Sequence, residues 1–276
     1  MSVLVGRSLA RAAGLGVVAG VATAAGPIVY VGRLDLPEHP DLDASGRVGR
    51  PDRPVLDVVV VGDSSCTGPG LHDPRDIWLN QVLGRFGDQA FTVASYAVGG
   101  AQTTDVITDQ LPAATARRRD LALVSIGTND ALHGRSPVGV HDRLAHIVDA
   151  LLERSGAVML LGVGDVGTAP RIPFPLSAVA TTVAHTVDRV HARVARPRAR
   201  VFKAPMWELT TASFRRRDDV WSTDRFHPNA DGHALWADGA EPAVAAALDH
   251  LTAPTTVGGY PHPPTGGSSR LTTWPG

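Results

Sequence analysis

Four short segments carry side chains whose types and spacing suit attack on a carbonyl carbon. The first is Gly62-Asp63-Ser64-Ser65-Cys66-Thr67-Gly68, directly after the apolar run 55–61. A serine at a tight strand-to-helix turn is placed to act as a nucleophile, with its own backbone N–H facing the reacting carbonyl. A Gly-Asp-Ser turn is also ordinary loop chemistry. The second segment is Gly99-Gly100-Ala101, where a glycine lets a backbone N–H approach a ligand closely. The third is Gly127-Thr128-Asn129-Asp130, whose carboxamide can donate to a developing oxyanion. The fourth is Asp224-Arg225-Phe226-His227-Pro228. An aspartate and a histidine three apart let the carboxylate hold Nδ1–H, which frees Nε2 as a general base.

These segments need a scaffold that brings them together, and the hydrophobic pattern supplies one. Short, near-continuous apolar runs at 55–61, 91–97, 121–126, 157–163 and 200–203 suit parallel strands covered on both faces. Between and after them, segments 74–86, 104–116, 138–154, 176–195 and 230–249 read as helices. This alternation predicts a three-layer α/β/α fold around a mostly parallel, five-stranded, doubly wound (flavodoxin-like) sheet. Ligands of such sheets sit at the carboxyl ends of the strands. Serine, glycine and asparagine follow strands one, two and three in chain order, and Asp-x-x-His follows strand five. Pro228 suits the first position of the last helix.

Taken jointly, the four segments resemble the blocks of the SGNH (GDSL-type) hydrolase family. Block I is similar to residues 62–68, block II to Gly99-Gly100-Ala101, block III to Gly127-Thr128-Asn129-Asp130 and block V to 224–228. The resemblance spans about residues 55–248. It implies a serine esterase or acyl hydrolase with Ser64 as nucleophile and His227 as base oriented by Asp224. It also implies an oxyanion hole made by the N–H groups of Ser64 and Gly100 and the side chain of Asn129. The implied substrate is a small-molecule, lipid or glycan ester, with no cofactor and no metal. Two features depart from the pattern. The asparagine usual before the block II glycine is absent from Ser95-Tyr96-Ala97-Val98, which leaves Gly99 and Gly100 both open as the donor, and Ser65 replaces the usual leucine.

Other chemistries fit less well. Gly162-Val163-Gly164-Asp165-Val166-Gly167 matches a dinucleotide fingerprint, with Asp188 downstream, but Pro170, Pro173 and Pro175 break the helix that must open there. The segment reads instead as a loop over the site. The formal net charge is −1, with 26 Lys+Arg against 27 Asp+Glu, which gives no bulk drive toward nucleic acid. The single cysteine, Cys66, excludes an internal disulfide. The histidines show no metal-ligand spacing. The runs 117–119 and 215–217 read as solvated arginine faces. A tethered lipid- or glycan-binding module and an acyltransferase using the same residues are the alternative functions.

The ends divide the chain. Arg7 and Arg11 precede an apolar stretch at 12–32, long enough for a membrane span and also shaped like an export signal, so residues 1–32 read as signal or anchor. Either one exports the domain. Residues 33–54 read as a linker, 55–251 as the hydrolase domain and 252–276 as a Pro/Gly/Thr-rich disordered tail.

Overall fold

The computed structural model describes residues 39–253. Six strands form one sheet: β1 (Gly46–Gly49), β2 (Val55–Gly62), β3 (Ala90–Ser95), β4 (Arg119–Ser125), β5 (Ser155–Leu160) and β6 (Val201–Lys203). Their order across the sheet is β1-β3-β2-β4-β5-β6. Strands β2 to β6 are parallel, and β1 pairs antiparallel with β3. The longer helices are α1 (Trp78–Gly84), α2 (Pro137–Leu152), α3 (Leu176–Ala195), α4 (Met206–Arg216) and α5 (Ala230–Thr252).

Alternation along the strands divides the core into two layers. Val58, Val60, Leu121, Leu123 and Met159 face α1 and α5, whereas Val59, Val61, Val124, Val158 and Leu160 face α2 and α3. Side chains of period two serving opposite faces explain why these strands read as continuous apolar runs. The chain leaves β2 toward β3 on one side and then crosses to β4 on the other. The strand order therefore reverses at β2, and a crevice forms outside the carboxyl ends of β2, β3 and β4. Three of the four chemical segments follow those ends.

The sheet has six strands, not five, and the sixth corrects the linker assignment. From His39 onward the segment expected to be a tether packs on the domain. Ala44 is buried, Val48 packs against the core, and Gly46–Gly49 pairs with Ala90–Val93. With a glycine at each end and one apolar residue, this edge strand carries no strand pattern of its own, and pairing with β3 creates it. Helix α4 was not expected either. It buries Met206, Thr210 and Phe214 on one face at a spacing of four. The predicted helix at 104–116 is present but not uniform, because Val106–Gln110 is wound as a π-helix between two α turns.

Among the described residues no helix is long and apolar enough to cross a membrane. The apolar stretch 12–32 lies outside the described residues. Thr252, assigned to the tail, closes α5, and residues 254–276 lie outside the described ones.

Candidate active site

Strand β2 ends at Gly62, and Ser64 opens a single helical turn, Ser64–Thr67. The Asp63 carboxylate caps that turn by accepting from the Ser65 N–H at 3.0 Å, and Gly68, with φ 59°, closes it on the Ser64 carbonyl. A left-handed residue is needed at that closure, which is why the trailing glycine matters. The Ser65 hydroxyl donates to Asp63 at 2.8 Å and lies 2.5 Å from the Ser125 hydroxyl at the end of β4. The serine that replaces the usual leucine thus ties the turn to the neighbouring strand. Cys66 is buried, and burial pushes its thiol well above the ordinary range, Asp63 adding to the effect. It is a packing residue beside the serine.

The two loops on either side of β2 hold each other. Gly99 and Gly100 follow β3, and the Gly99 N–H donates to Asp41 at 2.9 Å. Gly99 is thereby engaged, while Gly100 sits at φ 77° with open space where a side chain would be. On the β4 side, Gly127 adopts φ 114° and leads into the turn Thr128–Leu132. Asn129 donates one amide hydrogen to the Ala101 carbonyl at 3.0 Å, so its carboxamide bridges directly to the glycine loop. Beneath it, buried Asp130 accepts from the Thr103 N–H at 2.9 Å and the Thr103 hydroxyl at 2.6 Å, with Arg143 Nη2 at 3.2 Å. A fully partnered buried carboxylate of this kind fixes geometry where an unpaired one would be costly.

The loop before α5 supplies the histidine. Trp221 bridges to Pro228, and the Ser222 N–H donates to the His227 carbonyl at 2.8 Å, so the loop closes on itself. Asp224 Oδ1 accepts from the Ser222 hydroxyl at 2.6 Å and from the N–H groups of Phe226 and His227, both at 2.9 Å. Arg225 takes a left-handed conformation, φ 58°, to let both N–H groups converge. Oδ2 lies 2.7 Å from His227 Nδ1. Burial alone would raise the Asp224 pKa, but the bonds from His227, Ser222 and the two backbone N–H groups outweigh it and hold the carboxyl well below the usual carboxylate range. An ionised Asp224 keeps the proton on Nδ1 and leaves Nε2 as the acceptor.

Ser64 and His227 line one cleft. Its far wall is apolar, formed by Val166, Ala169, Phe214, Trp221, Phe226 and Trp236. The glycine-rich segment 162–167 lies along this cleft as a loop, as expected, and it opens no nucleotide-binding helix. Asp188 accepts the Val163 N–H at 3.2 Å and pairs with the only lysine, Lys203, at 2.9 Å. Asp165 accepts from the Gly167 N–H and from Arg215 at 2.6 Å. Four arginines from the runs read as solvated are ion-paired, Arg215 with Asp165 of the cleft wall, Arg117 and buried Arg119 with Asp57, and Arg217 with Asp219. The supporting residues Asp41, Thr103, Ser125 and Arg143 were not singled out from the sequence. Their signal is polarity at buried or cross-loop positions, which has no spacing to recognise.

A family model for GDSL-like lipases and acylhydrolases matches residues 60–235. The GDSL-like esterase Rv1075c of Mycobacterium tuberculosis (strain ATCC 25618 / H37Rv) is 30% identical over 190 residues, 66% of this chain and 59% of that protein. The chain thus spans about 59% of that relative's length. Among solved structures, TesA matches with a TM-score of 0.56 at 21% identity, covering 70% of this chain and 99% of its own. A member of the lipolytic protein G-D-S-L family from Veillonella parvula DSM 2008 matches with a TM-score of 0.53 at 20% identity, covering 68% and 98% respectively. At these identities the structures speak for the three-layer fold.

Proposed function

Because the chain belongs to the GDSL-like lipase/acylhydrolase family, we propose that it hydrolyses carboxylic esters through an acyl-enzyme on Ser64. Ser64 Oγ attacks the ester carbonyl while His227 Nε2 takes its proton, and Asp224 stabilises the imidazolium that forms. The oxyanion of the tetrahedral intermediate is received by the N–H groups of Ser64 and Gly100 and by the free amide hydrogen of Asn129. Collapse breaks the bond to the alkoxide, which leaves as the alcohol with the proton from His227. A water then attacks the acyl-enzyme with His227 again as base, and the acid leaves with Ser64 restored. The observation that carries this reading is the 2.7 Å contact of His227 Nδ1 with a fully hydrogen-bonded Asp224, on the same cleft as Ser64. The apolar wall supports an acyl group that is itself apolar.

The test is turnover of p-nitrophenyl esters from acetate upward, by the wild type and by Ser64→Ala. The variant should lose at least about 10³-fold in kcat/KM, as triad members acting together do. Equal rates in the two proteins would sink the assignment. On the sequence of residues 7–32 alone we also propose that the domain is exported, held by or released from a membrane-directed N-terminus.

A further inference from the structure

The turn that presents Ser64 is anchored by a residue outside all four chemical segments. Gln110 ends the π-wound stretch Val106–Gln110 and faces the core layer between the sheet and α2, among Val106, Leu111 and Ala114. It is buried, with 2% of its surface exposed, so an unsatisfied carboxamide there would be expensive. It is satisfied by one residue. Gln110 Oε1 accepts the Gly62 N–H at 2.8 Å, and Nε2 donates to the Gly62 carbonyl at 2.8 Å.

The geometry of the sheet explains why Gly62 needs this partner. On its β4 side Gly62 pairs with Ser125, but on its β3 side the pairing ends at Val60 with Ser95. Just past that point the Gly62 carbonyl still accepts from the Val98 N–H at 3.2 Å, so the carboxamide gives the Gly62 N–H its acceptor and gives the carbonyl a second donor. Gly62 is also a pinch point, since a Cβ there would stand 2.3 Å from the Ser125 carbonyl oxygen. The chain thus passes into Asp63-Ser64 at an angle set from both sides. The same helical stretch begins just after Gly100, so one element touches both the serine turn and the glycine loop. A π-wound segment inside a helix shifts the face that its residues present, and such segments recur at functional sites.

We propose that Gln110 is a positioning residue that aligns the Ser64 nucleophile through Gly62. The proposal rests on Ser64 being the nucleophile. It predicts that Gln110→Leu lowers kcat about 10- to 100-fold, since small misplacements of a reacting group cost up to about 10²-fold. KM for the same ester should stay within about threefold, and the rate of Ser64 labelling by a fluorophosphonate should fall in step with kcat. Turnover is to be counted per active site titrated with the fluorophosphonate, so that poorly folded molecules do not enter the rate. Gln110→Glu gives a second readout that a purely structural role would not move. When ionised, the introduced carboxylate accepts from the Gly62 N–H but repels its carbonyl, whereas the neutral acid restores both bonds. The ratio of variant to wild-type kcat should therefore rise as the pH is lowered toward 5. Gln110→Leu with wild-type kcat per titrated site, or a Gln110→Glu ratio flat with pH, overturns the proposal. If Gln110→Leu does not fold, the Gln110→Glu ratio decides. Wild-type turnover by Ser64→Ala would instead remove the reading on which the proposal stands.

Discussion

The turn at residues 62–68 and the loop at 221–229 meet at one cleft but are built in opposite ways. The loop holds its carboxylate from within. Every hydrogen bond to the Asp224 carboxylate comes from Ser222, Phe226 or His227, and a backbone pair between Ser222 and His227 closes the segment, while Arg171 donates from outside to the backbone carbonyls of Asp224 and Arg225. The turn is held partly from outside. Asp41, Gln110 and Ser125 reach it from other elements, and the Asp63 carboxylate has only Ser65 as a hydrogen-bonding partner among the described residues. The two buried aspartates report the difference. Asp224 is held well below the usual carboxylate range, whereas burial pushes Asp63 up to about 6 against the bonds from Ser65. A carboxylate held within its own loop is a dependable one to orient a base. A braced turn leaves its serine exposed to the cleft at the expense of the neighbouring acid.

The largest effect that can break this contrast is expected at Asp224. In Asp224→Asn the amide oxygen keeps the three bonds from Ser222, Phe226 and His227 N–H, so the loop should retain its shape. The amide nitrogen then faces His227 Nδ1 as a second donor, which drives the imidazole proton to Nε2 and removes the base. Ester turnover should fall about 10³- to 10⁴-fold with little change in melting temperature. Wild-type turnover in this variant would mean that the loop does not orient the base.

A smaller effect is expected at Asp63, read as stability against pH. Its folded pKa is raised above the ordinary 3.8, so its contribution is fully present below pH 3.8 and is lost as pH rises through about 6. Asp63→Asn keeps an acceptor for Ser65 and cannot ionise. The variant should therefore gain stability over the wild type as pH rises from 4 to 7, by up to about 3 kcal/mol at about 1.4 kcal/mol per pKa unit. His191 and His233 titrate the other way. Burial lowers them to about 4 and about 3, so they cost stability as pH falls below 6.5, but they are common to both proteins and cancel in the difference. Melting curves at several pH values measure it, and a constant gap would place Asp63 in the same satisfied class as Asp224.

The same contrast decides what the sequence could reveal. Asp224 and His227 are legible because their partnership is local, three positions apart on one loop. The five parallel strands are legible because burial on both faces leaves unbroken apolar runs such as 55–61. The braces are not. Gln110 is 48 positions from Gly62, and Asp41 is 26 from Thr67 and 58 from Gly99. No period connects such pairs, and only the crossing of strands at β2 brings them together. Strand β1 was missed for the same reason, since its partner and not its composition makes it a strand. That the Gly99 N–H is engaged was likewise out of reach, because its partner, Asp41, is distant in sequence.

Asp41 gives the finest test of how far outside bracing extends. Its carboxylate accepts from the Thr67 hydroxyl at 2.6 Å and from the Gly99 N–H at 2.9 Å, linking the serine turn to the glycine loop. Unlike Gln110 it is exposed, so water competes for both bonds and each contributes on the order of 1 kcal/mol or less. Asp41→Ala should therefore lower kcat only about three- to tenfold, with KM nearly unchanged, because Gly100 loses one tether while Asn129 still holds the loop through Ala101. Asp41→Asn should recover most of that loss. Its oxygen can take the Gly99 N–H and its amide can donate to Thr67, whose hydroxyl is free to turn. Equal losses in the two variants would show that charge and not geometry is what Asp41 supplies. The turn would then be braced by Gln110 and Ser125 alone, and the N-terminal segment would only cover it.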